Sequence, residues 1–195
     1  TLRHRAQVGG VAEHFAERDF AADHLRRATI DGVGDHRVER GLLERHLLRA
    51  RALEQMFLAA KNQDLTLMIT SAYRSYSYQQ GVYSNYLKTQ GQAYTDATSA
   101  RPGHSEHQTG LAVDLGNGTC NLEICFGNTP AGQWLAAHAH EFGFIVRYPA
   151  GKESLTGYQY EPWHLRYVGS DVASKIYASG QTLEQHFGLP AAPTY

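Results

Sequence analysis

Two stretches of this sequence concentrate side chains able to ligate a metal and move a proton. In Ser105-Glu106-His107-Gln108-Thr109-Gly110-Leu111-Ala112-Val113-Asp114, a glycine-containing loop presents a histidine, and the apolar run after it ends in an aspartate. A carboxylate at the end of Leu-Ala-Val is costly to bury unless its charge is compensated. A divalent metal would compensate it, since imidazole nitrogen and carboxylate oxygen both bind zinc at roughly 2.0–2.2 Å; backbone N–H groups would serve as well. The second stretch is Tyr160-Glu161-Pro162-Trp163-His164-Leu165. Pro162 confines Glu161 to extended geometry, so Glu161 and His164 do not share a helix. His164 is a candidate third ligand. Glu161 is a candidate acid–base that takes a proton from an activated water and passes it to a leaving amine. Three protein ligands and an open fourth position describe a catalytic rather than a structural zinc. The plainer alternative is a core strand holding Trp163 and Tyr167 with an incidental charge pair. Arg74, in Ser-Ala-Tyr-Arg-Ser, could hold a carboxylate or polarise a scissile carbonyl, or simply be solvated.

Periodicity indicates the elements that must position these groups. Leu43, Leu47, Ala50, Leu53, Phe57 and Ala60 recur at steps of three and four and predict an amphipathic helix over about 41–61. Residues 65–70 alternate and read as a strand, from which the Arg74 segment departs as a loop. Tyr78, Val82 and Tyr86 predict a helix stopping near Gly91. Residues 92–110 read as loop, and Leu111–Leu115 as a short buried strand. Thr129-Pro130 starts a helix carrying Trp134, Leu135 and His138. Phe144–Tyr148 and Trp163–Val168 are strand candidates. Ser170 is expected to cap a short helix, and Thr182 with Gln185 forms a capping box. The order of elements predicts an α+β fold: a small, mostly antiparallel sheet with helices packed on it.

Composition narrows the function classes. The chain has 195 residues, 42% of them hydrophobic and 19% charged, with a formal net charge of −1. That suits one globular domain over about 39–195, preceded by a partly helical extension over 1–38. The near-neutral balance argues against a nucleic-acid partner. No stretch of about 18 apolar residues predicts a transmembrane segment, and no charged-then-apolar leader opens the sequence. The histidines number 11, so each alone is weak evidence for a metal; His4, His14, His24 and His36 read as surface. Cys120 and Cys125 either close a small disulfide loop or are two buried thiols.

Four separated segments carry a family resemblance: Ser71–Gln80, Ala100–Asp114, Phe142–Pro149 and Glu161–Gly169. Together they resemble the VanY-type D-alanyl-D-alanine carboxypeptidases and their L,D-carboxypeptidase relatives. That group belongs with a wider set of zinc peptidases including D-Ala-D-Ala dipeptidases and phage endolysins. The resemblance runs from about 41 to 188 and leaves the extension outside. It implies one catalytic zinc held by His107, Asp114 and His164, with Glu161 as base and then acid and Arg74 at the developing oxyanion. It places Gln79, Ser105 and Tyr148 along the pocket for the substrate's terminal carboxylate and its neighbour. It prefers His107 over nearby His104, because His107 fits the family's Ser-x-His spacing.

The expected function is therefore a zinc D,D-carboxypeptidase removing the terminal D-alanine from peptidoglycan stem peptides, in the cell envelope. The rivals are an L,D-carboxypeptidase on tetrapeptide stems, a D,D-dipeptidase or endopeptidase, and a non-catalytic zinc-binding recognition module. The catalytic residues are common to the enzymatic readings, so the sequence separates them poorly.

Overall fold

A computed structural model describes residues 36–192 of the chain. Packing divides the chain into two units, Thr1–Arg45 and His46–Tyr195; the sheet belongs to the second. The expected short helices and the histidines at 4, 14 and 24 lie outside the described residues.

Four strands form one antiparallel sheet: β1 (Met68–Ser71), β2 (Ala112–Gly116), β3 (Phe144–Tyr148) and β4 (Glu161–Tyr167), in the order β1-β2-β4-β3. Seven α-helices are described: α1 (His36–Lys61), α2 (Tyr76–Gln90), α3 (Gln92–Thr98), α4 (Pro130–His138), α5 (Glu153–Thr156), α6 (Ser170–Ser179) and α7 (Leu183–Phe187). The fold is α+β.

The period-two alternation of β2 assigns its two faces. Val113 and Leu115 point into a core shared with Leu165 of β4, Phe144 of β3, Leu53, Met56 and Ala60 of α1, and Trp134 and Leu135 of α4. Asp114, between them, faces the other way. On that opposite face Ile145 of β3 meets Ala173 and Ile176 of α6 in a smaller cluster. The sheet is thus a septum, with the main apolar core on one side and Asp114 on the other.

Caps set several boundaries. Ser75 accepts from the Tyr78 N–H at the start of α2, Thr129 accepts from Gly132 at the start of α4 with Pro130 first in the helix, and Thr182 with Gln185 forms a capping box at α7. Several expectations shift. The first helix begins at His36, and Leu47 is exposed whereas Arg49 is buried. The loop expected over 92–110 contains α3, whose one buried residue is Thr95, so no apolar stripe announced it. α6 is capped by Gly169 rather than Ser170. Cys120 and Cys125 are joined in a disulfide.

Gly132 shows how tightly α4 is seated. A Cβ there would stand 2.0 Å from the Phe126 carbonyl oxygen and 2.8 Å from its carbon, backbone atoms that cannot turn aside. Glycine-to-alanine ordinarily stabilises a helix by about 1 kcal/mol. Gly132→Ala is expected to reverse that sign and cost about 1–3 kcal/mol by overpacking. Urea unfolding measures this; an unchanged midpoint would contradict it.

Candidate metal centre

Antiparallel pairing sets the two strand-borne candidates side by side. Asp114 of β2 and His164 of β4 are direct cross-strand partners, and such partners share a face. His107 arrives from outside the sheet, on a single 3-10 turn spanning Glu106–Thr109. Gly110 ends that turn at φ 68°, a left-handed conformation that a Cβ penalises, and the chain then enters β2. The turn is clipped to the loop leaving β1. His107 Nδ1–H donates to the Ala72 carbonyl at 2.6 Å, and the Arg74 backbone N–H donates to the His107 carbonyl at 3.2 Å.

The clip also selects a tautomer. With Nδ1 protonated, His107 presents the bare Nε2, which lies 3.2 Å from Asp114 Oδ2. His164 uses its other nitrogen, with Nδ1 lying 3.1 Å from Asp114 Oδ1. One ligand atom from each of His107, Asp114 and His164 lies within 4.8 Å of the other two, and all three residues are buried. His107 Nε2 and Asp114 Oδ1 have no hydrogen-bond partner. Buried polar atoms without partners are rare in folded proteins. Two imidazoles and a carboxylate with orphaned atoms facing one point fit a divalent metal with a coordination position left open. His104 is exposed and outside this group.

A bulge brings in Glu161. Val146 of β3 faces Leu165, but Tyr148 faces Glu161, so one β3 residue opposes three on β4. Pro162 lies inside this irregularity, where no ladder N–H is required. Simple alternation would put Glu161 and His164, three apart, on opposite faces; the bulge re-aims them. Glu161 Oε2 lies 3.7 Å from His164 Nδ1. Arg74 Nη2 lies 3.5 Å from Asp114 Oδ2, and its buried Nε has no partner.

All eight residues singled out from sequence line one cleft of about 700 Å³. Gln79 is buried; its Nε2 donates to the Ala100 carbonyl at 2.7 Å, and its Oε1 has no partner. Ser105 is buried at the cleft wall. The Tyr148 ring lies 4.9 Å from that of His164 and 4.6 Å from that of Tyr158. The disulfide loop contributes Leu122 and Ile124 to the rim.

Burial and charge set the protonation states of the metal-free site. Burial, aided by the Asp114 charge, pushes the Glu161 carboxyl up to about 7, against His164 and Arg74. Burial pulls His164 down, but Asp114 and Glu106 outweigh it and raise the imidazole to about 9. Asp114 stays well below the usual carboxylate range despite burial, because His107 and His164 face it. Burial lowers His107.

One contributor escaped the sequence reading. Glu106 is quoted within the first stretch, but nothing there assigns it a partner. In the structure it lies between Arg147, Arg166 and His164. A usable signal existed: Arg166 follows His164 by two on the same strand, hence on the same face, and a charge there calls for a counter-charge.

Residues 44–170 match the family described as VanY: D-alanyl-D-alanine carboxypeptidase. YodJ of Bacillus subtilis (strain 168) is 44% identical over 140 residues, covering 71% of this chain and 51% of that protein. The chain spans about half the length of the curated relatives it matches first. The solved LdcB LD-carboxypeptidase superposes with a TM-score of 0.68 at 43% identity, covering 72% of this chain and 67% of that one. A mutant of the vancomycin-resistance D,D-pentapeptidase VanY, solved in complex with Zn(II), superposes with a TM-score of 0.65 at 35% identity, covering 71% and 81%. With its matched region enclosing the metal centre, the cleft and the whole sheet, this chain belongs to the VanY D-alanyl-D-alanine carboxypeptidase family.

Proposed function

We propose that this protein is a zinc-dependent carboxypeptidase that removes the terminal D-alanine from peptidoglycan stem peptides in the cell envelope. The observation that carries this reading is the convergence of His107, Asp114 and His164 beside Glu161 in one cleft. His107, Asp114 and His164 hold the ion. When bound, zinc supplies Lewis acidity, polarising a carbonyl and bringing the pKa of water toward about 7. Glu161 takes the proton of the attacking water and returns it to the leaving amine. In the metal-free site burial raises its carboxyl to about 7; the charge of a bound ion acts in the opposite direction and favours the carboxylate that accepts a proton from water. Arg74 donates to the carbonyl oxygen as negative charge develops there. Gln79, Ser105 and Tyr148 bound the pocket for the terminal residue, and the unpartnered Gln79 Oε1 is an acceptor left for a peptide N–H.

The family description favours D,D specificity. A second reading, L,D-carboxypeptidase, is favoured by the higher identity to LdcB than to VanY. Mass analysis of tri-, tetra- and pentapeptide muropeptides before and after treatment separates them. Loss of one alanine from pentapeptide supports D,D cleavage, and loss from tetrapeptide supports L,D. Cleavage is expected to stop with a chelator and return with zinc. No cleavage of any stem by zinc-loaded protein would overturn the proposal.

Metal uptake carries a proton signature. Metal-free His164 keeps its proton up to about pH 9, whereas an imidazole ligand must be neutral. Zinc binding at neutral pH is expected to expel that proton, so affinity should rise about tenfold per pH unit between about pH 6 and 8. Calorimetry in buffers of different ionisation enthalpy counts the proton; an affinity flat across that range would contradict the assignment.

A further inference from the structure

Glu106 lies against the far side of the His164 ring, and none of the roles above uses it. Its Oε1 accepts from Arg147 Nε–H at 2.9 Å and lies 3.0 Å from Arg166 Nη1. Two guanidinium groups therefore pin one oxygen. The other oxygen, Oε2, is buried without a hydrogen-bond partner and lies 3.6 Å from His164 Nε2, which is likewise buried and unpartnered. Arg147 is itself braced from α7: Nη1 donates to Glu184 Oε2 at 3.2 Å, and Nη2 donates to Glu184 Oε1. The opposite edge of the His164 ring, at Nδ1, faces Asp114 and Glu161.

We propose that Glu106 is a positioning residue: its Oε2 holds the Nε2–H of His164, so that Nδ1 is the nitrogen offered to the metal. The inference rests on the zinc reading above and extends it to a residue outside the ligand set. A ligating histidine generally gives its second N–H to a carboxylate or carbonyl, which fixes tautomer and ring orientation and raises ligand basicity. In this site the two histidines do so in opposite senses. His107 gives Nδ1–H to the neutral Ala72 carbonyl and offers Nε2. His164 gives Nε2–H to an anionic carboxylate and offers Nδ1. Arg147 and Arg166 hold Glu106 in place without consuming the oxygen that faces His164. Glu106 acts through His164 rather than on the substrate.

The test compares Glu106→Gln, Glu106→Asp and Glu184→Gln with wild type, reading the zinc dissociation constant by chelator competition and the melting temperature of the metal-free proteins. Glu106→Gln is expected to bind zinc about 10–100-fold more weakly, with Glu106→Asp intermediate. Glu184→Gln loses a brace on Arg147 but no contact to His164, so it is expected to lower the melting temperature while leaving zinc affinity within about twofold. A purely structural Glu106 would move melting without that selective loss of affinity. Nitrogen-15 spectra of the zinc-loaded wild type give a second readout that needs no variant. His164 is expected to appear as the Nε2–H tautomer with a slowly exchanging proton, and His107 as the Nδ1–H tautomer. Wild-type zinc affinity in Glu106→Gln, or an Nδ1–H tautomer at His164, would overturn this proposal alone. Failure of the wild type to bind zinc would overturn the reading it rests on.

Discussion

Glu161→Gln is expected to lower turnover by about 10²–10⁴-fold, the usual cost of losing a correctly placed general base, while zinc stays bound. Glutamine keeps the shape of the side chain but cannot take a proton from water. The metal persists because His107, Asp114 and His164 form a ligand group without Glu161. The environment argues for the same outcome. In the metal-free site burial raises the Glu161 carboxyl to about 7, and perturbed carboxyls of this kind concentrate at functional sites. Measuring kcat on a stem pentapeptide alongside zinc content per chain checks both halves. A variant with near-normal turnover would remove Glu161 from the proton transfer.

Asp114→Ala is expected to lose the metal itself, and activity with it. Asp114 is the only carboxylate of the ligand group, and its two oxygens face His107 Nε2 at 3.2 Å and His164 Nδ1 at 3.1 Å. Without it His164 loses a principal support for its proton, and Arg74 faces two imidazoles with no anion between them. The affinity loss is expected to exceed the about 10–100-fold typical of outer-shell changes. Melting makes the contrast with Glu161→Gln sharp. A ligand at 100 times its dissociation constant stabilises a fold by about 2.7 kcal/mol. Wild type and Glu161→Gln should both show that zinc-induced rise, and Asp114→Ala should show none at the same zinc concentration. A wild-type rise in Asp114→Ala would exclude Asp114 as a ligand.

Much of this architecture was legible from residue order because its signals are local. Thr129-Pro130 starts α4, Thr182 and Gln185 box the start of α7, and the segment expected as a strand over 144–148 is β3 without a residue's error. Each depends on atoms within a few positions of one another. Residues with no local periodicity were read less well. α3 is held between Gly91 at φ 82° and Ser99 and buries a single threonine, so nothing in 92–98 distinguished it from loop.

The site divides along the same line. Residue type and spacing nominated a loop histidine, a strand aspartate and a Glu-Pro-Trp-His segment, since few compositions can ligate an ion and move a proton. Their meeting was decided by tertiary pairing. Asp114 and His164 share a face only because β2 and β4 pair in the register that sets them opposite, and Glu161 joins them only because β4 bulges at Pro162. Glu106 belongs to this second class: it sits on the 3-10 turn, and its charge is answered by Arg147 of β3 and Arg166 of β4. Ligand chemistry is a property of side chains and can be read one residue at a time. Which side chains face each other across a sheet depends on strand register, and register is set by burial of the whole apolar face.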